Sequence, residues 1–169
     1  WGAVVEGTVS GAMAGLGFAV IGNALYITRE RPATELDVGL GLIGAGGGIT
    51  AIRALAGPGH VIYSAIAGYY LGLAKFNPGR RGPIVVKGVL IAAFVHATYN
   101  ATVGIGSGVI GVVTGLSGLA PFLIYIVIYD GFLGLFLLGK IQHYRNSYHR
   151  ANAPGATAGD FESELTEFE

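Results

Sequence analysis

The chain has 169 residues, of which 52% are hydrophobic and only 12% charged, and its formal net charge is zero. Soluble domains carry about 25% charged residues, so this composition excludes an ordinary soluble domain and, with a mean hydropathy of +0.60, points to an integral membrane protein. Zero net charge removes the electrostatic footprint of a nucleic-acid binder, and the absence of cysteine excludes disulfides and thiol chemistry.

The chain opens on Trp1, not methionine, with an apolar span already under way at Ala3. That suggests a fragment whose N-terminal helices lie elsewhere; no basic, cleavable signal peptide is visible. Residues 3–27 predict the first membrane helix. Gly7, Gly11 and Gly15 recur every four residues and form a flat stripe where another backbone can approach. Glu6 sits near the end of the span, within reach of water. Asn23 is a polar group in an apolar helix and is expected to face protein. Residues 28–37 mix charge with Pro32 and read as a loop, with Thr34 or Asp37 placed to cap the next helix.

Residues 38–56 are apolar but rich in glycine, including the run Gly46-Gly47-Gly48. Each glycine costs a helix about 1 kcal/mol relative to alanine, so a tightly packed, broken or re-entrant segment is expected. The lysine and hydroxyl of a phosphate-binding loop are missing. Arg53 precedes the breaker Gly57-Pro58-Gly59. His60 then opens a helix to about Phe76, with Tyr63 and Ser64 one turn on. Residues 77–83 (NPGRRGP) form a turn-rich basic loop.

Residues 84–105 (IVVKGVLIAAFVHATYNATVGI) make about one bilayer crossing, at roughly 20 residues each. They carry His96 and, one turn later on the same face, Asn100. An ionisable group at membrane depth is expensive and marks a functional site. Residues 104–118 are glycine-rich and weakly apolar, a loop, re-entrant turn or half-helix. Residues 119–139 are a strong final span with Asp130 near the middle. Residues 140–150 (KIQHYRNSYHR) extend it along the membrane surface, with His143 and His149 as interfacial residues. Residues 151–169 read as an acidic disordered tail, leaving 1–150 as the membrane domain. The architecture expected is an all-α polytopic bundle of 4–5 transmembrane helices.

Two basic clusters, at Lys75 to Lys87 and after Lys140, are separated by two spans and so share a side. The positive-inside rule makes that side cytoplasmic. Counting 38–56 as a crossing also puts Arg29 and Arg31 inside, and sets Gly22 and Asn23 at a different depth from His60.

Three runs carry a resemblance: GLGFAVIGNALYI, GPGHVIYSAIAGYYLGLAKF and IVVKGVLIAAFVHATYN. In this order, on apolar helices, they resemble the later motif segments of the PrsW-type intramembrane proteases, relatives of the CAAX-prenyl proteases. The resemblance implies cleavage of a peptide bond in or next to a membrane segment, as in anti-sigma factors. It also implies a Glu-Glu-x-x-Lys motif, a Phe-x-x-x-Glu motif and two later histidines. His60 and His96 match the histidines, Asn100 the polar residue after the second, and Phe18 the phenylalanine. Gly22 stands where the family has glutamate, with Asn23 after it, and Glu-Glu-x-x-Lys is absent from the chain.

The chemistry that fits is acid-base hydrolysis. A glutamate would activate water, while His96 and Asn100 donate hydrogen bonds to the oxyanion. A zinc mechanism is also conceivable, with two histidines and a carboxylate as ligands. Two other readings stand beside the protease. An inactive homologue would bind membrane segments without cutting, as Gly22 suggests. A transporter or channel component would use the glycine-rich segment as a broken helix and Asp130 with His96 as an ion path. Asp130 must point into the bundle in any of these, since an unpaired carboxylate there costs about 2.5–3.5 kcal/mol. It is expected either to make a buried structural hydrogen bond, with Tyr63, Tyr69, Tyr99, Thr98 or Asn23 among the partners, or to orient a histidine.

Overall fold

The computed structural model describes residues 2–30 and 49–151, and side chains for residues 2–25 and 57–150. It contains four α-helices: α1 (Gly2–Glu30), α2 (Ile49–Phe76), α3 (Arg81–Thr114) and α4 (Ala120–Ala151), with a 3-10 turn at Pro78–Arg80 between α2 and α3. No strand occurs among the described residues. The candidate caps Thr34 and Asp37, the Gly46-Gly47-Gly48 run and all of the acidic tail at 151–169 except Ala151, which ends α4, lie outside them.

Among the described residues, three helices are long and apolar enough to cross a membrane: Gly2–Leu25, Pro78–Thr114 and Ala120–Arg150. The fourth, α2, carries His60, Tyr63, Ser64, Tyr69, Tyr70 and Lys75, which lower its hydropathy. It nevertheless supplies half of the buried apolar core among the described residues: Tyr63, Ala65, Ile66, Tyr69, Tyr70, Leu73 and Ala74. The apolar helices instead expose large side chains such as Met13, Phe94, Val112 and Phe132. This inversion is a consequence of the solvent. Lipid-facing side chains must be apolar, whereas polar ones at membrane depth face protein.

The glycine stripe of α1 packs as the spacing predicts. A Cβ at Gly7 would collide with the carbonyl oxygen of Gly68, one at Gly11 with that of Ser64, and one at Gly15 with that of His60. Gly68 and Gly72 of α2 are equally filled by the backbone of Gly7 and Ala3. Positions rise along α1 as they fall along α2, so the two helices are antiparallel and touch backbone to backbone. Residues 49–56 are the first turns of α2, not the end of a separate crossing, and Gly57-Pro58-Gly59 does not break it. Proline is tolerated there because packed neighbours can satisfy the backbone group it frees. His60 is therefore in the middle of a helix and level with the middle of α1, which removes the expected mismatch in depth. The antiparallel pairing also corrects the side of Arg29, whose end of α1 is opposite the end that carries Arg80 and Arg81.

Asn77 ends α2. Its side-chain amide donates to the carbonyl of Leu73 at 3.0 Å, and its backbone N–H to that of Ala74 at 3.3 Å. Helix α3 then continues through Gly104, Gly106, Gly108 and Gly111 to Thr114, so residues 104–114 are no loop or half-helix. It stops at Gly115, whose φ of 70° is a left-handed cap that a side chain would strain. Pro121 falls in the first turn of α4, where a proline costs nothing. Helices α3 and α4 form an antiparallel hairpin. Thr102 and Tyr125 share a hydroxyl hydrogen bond of 2.5 Å, and the Tyr129 hydroxyl donates to the carbonyl of Val95 at 2.8 Å. The basic start of α3 and the basic end of α4 accordingly lie at the same end of the bundle. There Ile84, Leu137 and Leu73 join one buried cluster.

Candidate active site

Helical spacing explains how α2 builds one wall of the site. His60, Tyr63 and Ser64 sit three and four positions apart and share a face, and that face meets α1 and α3. His96 comes from α3. The two imidazoles, 36 positions apart in sequence, meet edge to face with ring centroids 4.8 Å apart. Phe18 of α1 lies against His60 at 5.5 Å. Tyr63 stacks on His96 at 5.5 Å with 29° between the rings. The residues matched to the family motif, Phe18, His60 and His96, thus converge from three helices.

They close one end of a groove of about 830 Å3 between α1, α2 and α3. Its floor is formed of small residues, among them Ser10, Ala14, Ser64 and Ala67; Leu71 and Val89 make its apolar walls, and Glu6 and Lys75 stand at the far end. The groove reaches from the histidines towards the membrane surface at the basic end of the bundle.

Asp130 of α4 reaches this site from behind. It is 6% exposed, and the Tyr63 hydroxyl donates to its Oδ1 at 2.9 Å. Its Oδ2 is buried without a hydrogen-bond partner among the described residues, as is the Tyr99 hydroxyl. Asp130 points into the bundle as expected, and its partner is one of the tyrosines anticipated. The carboxylate grips the tyrosine that carries a histidine, an arrangement that sequence gives no means to see.

The other expected residues are placed less centrally. Asn100 follows His96 by one turn but is exposed on α3 and does not line the groove. Asn23 is half-buried near the start of α2, its amide nitrogen facing Gly57. Gly22 follows Phe18 by one turn, and a Cβ built there meets nothing within 4 Å. Side chains on a helix lean towards its N-terminus, so a longer residue at 22 would lean back over Phe18 towards His60. Residues that the motif reading passed over are Tyr63, in its role at the site, and Gly59. A Cβ at Gly59 would press on the Tyr63 hydroxyl and on Asp130 Oδ2.

The fold is that of a polytopic helical membrane protein with a histidine pair at the head of a groove inside the bundle. Residues 1–131 match the model of a family described as PrsW family intramembrane metalloprotease, and the chain belongs to that family. It is 30% identical over 96 residues to a protein named Protease PrsW from Halalkalibacterium halodurans, covering 57% of this chain and 38% of that protein. It is 29% identical over 99 residues to the Protease PrsW of Clostridioides difficile, covering 57% and 37%. It is 31% identical over 95 residues to that of Geobacillus kaustophilus, covering 56% and 36%. The matched stretches therefore span little more than a third of those relatives. No solved structure matches the chain.

The family description implies a metal. A catalytic zinc takes three protein ligands. His60 and His96 offer two nitrogen donors side by side, and Asp130 is engaged by Tyr63. No group of three His, Cys, Asp or Glu side chains gathers among the described residues. The described residues therefore fall one ligand short of a zinc site, and the chemistry they can supply themselves is proton transfer and hydrogen-bond donation.

Proposed function

We propose that this chain is the histidine-bearing part of an intramembrane endopeptidase. It would hydrolyse a peptide bond in or next to the membrane segment of a protein substrate such as an anti-sigma factor. The single observation that carries the reading is the meeting of His60 and His96 at the head of a groove inside the bundle. One imidazole takes a proton from the attacking water, and the other donates a hydrogen bond to the oxygen that becomes negative. Paired in this way, they share general base and electrostatic roles. Asn100 is assigned as a second donor on the strength of its place one turn after His96. The small-residue groove suits an extended or unwinding membrane segment as substrate. By the positive-inside rule, the end carrying Arg80, Arg81 and Lys140 is cytoplasmic in the cell membrane, and so is the start of α1. The acidic stretch at 151–169 is proposed to be a cytoplasmic tail.

Gly22 favours a second reading, an inactive homologue that holds membrane segments without cutting them. The open space around Gly22 makes the two separable. The experiment is cleavage of a membrane-tethered reporter by full-length protein in vesicles. If the chain cuts, His60→Ala and His96→Ala each lower the rate by about 10²–10⁴-fold, the usual range for a general acid or base. If it is inactive, Gly22→Glu raises cleavage above background. A folded protein that is silent with either residue at position 22 sinks the hydrolase reading.

A further inference from the structure

The hydrolase reading uses the two histidines and leaves the buried pair behind them unexplained. Tyr63 is 4% exposed and Asp130 6% exposed. Burying a carboxylate at membrane depth is expensive. A hydrogen bond that merely tied α2 to α4 could use two neutral groups at lower cost. The pair also lies beside the histidines. The face of Tyr63 carries the His96 ring at 5.5 Å, and His60 lies 6.2 Å from it with the two rings tilted by 48°. The far end of the same ring is fixed by Asp130 Oδ1. At Gly59 the backbone has no side chain, and any Cβ there would press on both the phenol and the carboxylate. The hydrogen bond from α4 and the missing side chain at Gly59 of α2 thus fix one ring, and that ring is the surface against which a reacting imidazole lies.

We propose that Tyr63, held by Asp130, is a positioning residue that sets the angle and separation between His96 and His60. This rests on the hydrolase reading of the histidine pair. The tyrosine ring acts as a plate on α2, with its hydroxyl anchored on α4. Without the anchor the plate can rotate about its side-chain torsions, and His96 loses the surface that fixes its plane. Asp130 acts through Tyr63, so its charge matters less than its ability to accept that hydrogen bond. This differs from direct orientation of a histidine by a carboxylate, which would make Asp130→Asn the most damaging change.

The test has a spectroscopic arm and a kinetic arm, both on full-length protein. In detergent micelles, the ring protons of His96 are monitored by NMR with labelled histidine. Stacking on Tyr63 shifts them upfield, and Tyr63→Leu returns them towards free imidazole. Tyr63→Phe keeps a ring and Gly59→Ala keeps both partners, so these two guard against misfolding in the leucine variant. Each of them moves the His96 signals by less than Tyr63→Leu does. His96 signals that are the same in wild type and in all three variants overturn the proposal. Kinetically, Tyr63→Leu lowers kcat about 100-fold, the cost of misplacing a reacting group by about 1 Å, with little change in KM. Tyr63→Phe and Asp130→Asn give smaller losses, and the double variant is no worse than the poorer single one, as expected when both act through one hydrogen bond. A folded Tyr63→Leu enzyme with wild-type kcat overturns the proposal, as does a double variant whose losses multiply. The spectroscopic arm needs no turnover. It decides the positioning claim even for a chain that cuts nothing, so failure of the hydrolase reading and failure of this proposal give different results.

Discussion

His60 and His96 are visible in the sequence as ionisable groups on apolar helices, and a motif match relates them to each other. Their separation of 36 positions says nothing about distance, because any two helices of a bundle can meet at any level. Only the antiparallel register of α1 with α2 and the crossing of α3 bring the rings to 4.8 Å. Tyr63 is legible as a neighbour of His60 on one face, but the carboxylate behind it comes from 67 positions away. Asn100 is the residue where spacing and surroundings diverge, since it shares a helix with His96 yet is exposed. The role of second oxyanion donor, assigned to it on spacing alone, requires its side chain to reach the groove. Asn100→Ala is expected to lower kcat about 10²–10³-fold with KM little changed, the usual cost of losing such a donor. Steady-state cleavage of the tethered reporter measures this, and a rate within about threefold of wild type would remove Asn100 from the mechanism.

At the scale of elements, the helices are legible in the residue pattern and their ends are not. Local rules place a stop at Gly57-Pro58-Gly59 and weaken residues 104–114, because glycine and proline lower helix propensity. Packing overrides both: Gly59 lies under Tyr63 and Asp130, and Gly106 receives the ring of Tyr125. The same residue type has two meanings that propensity cannot separate. Gly11 has a carbonyl of α2 in the space of its missing side chain, whereas Gly104 and Gly108 have nothing within 4 Å. Gly11→Leu is therefore expected to destabilise the bundle by at least the roughly 1–3 kcal/mol typical of overpacking. Gly104→Ala should be neutral or stabilising by up to about 1 kcal/mol. Denaturant titration in micelles compares them, and equal effects at the two sites would contradict the interlock.

For the whole molecule, composition identifies a helical membrane protein, and the spacing of the spans correctly places the basic clusters at Arg80 and after Lys140 at one end. Arg29 is misplaced by the same reasoning, because a glycine-rich apolar segment counts as a crossing until the α1–α2 register is known. The structure puts the ends of α2 and α4 together, and α1 begins at that end too. Single cysteines at Asn77 and Asn146 should both react with a membrane-impermeant reagent from the cytoplasmic face of inverted vesicles. A cysteine replacing Gly2 should behave in the same way. Reaction of any one from the opposite face would contradict the antiparallel arrangement.

Helix α2 carries His60, three tyrosines and Lys75, yet more of the buried core comes from it than from any other helix. In the finished bundle this is favourable, but during synthesis α2 meets the bilayer before α3 and α4 exist to cover it. Its histidine, tyrosines and lysine make it a poor passenger for the insertion machinery by itself. Helix α1 is the partner already present, and the glycine interlock offers it a place to dock at once. Biogenesis should therefore proceed through an α1–α2 hairpin that enters the membrane as a unit. In a cell-free insertion assay with glycosylation tags, α2 alone is expected to integrate poorly and the α1–α2 segment efficiently, with Gly11→Leu reducing the latter. Equal integration of α2 with and without α1 would show that the order of assembly does not depend on that contact.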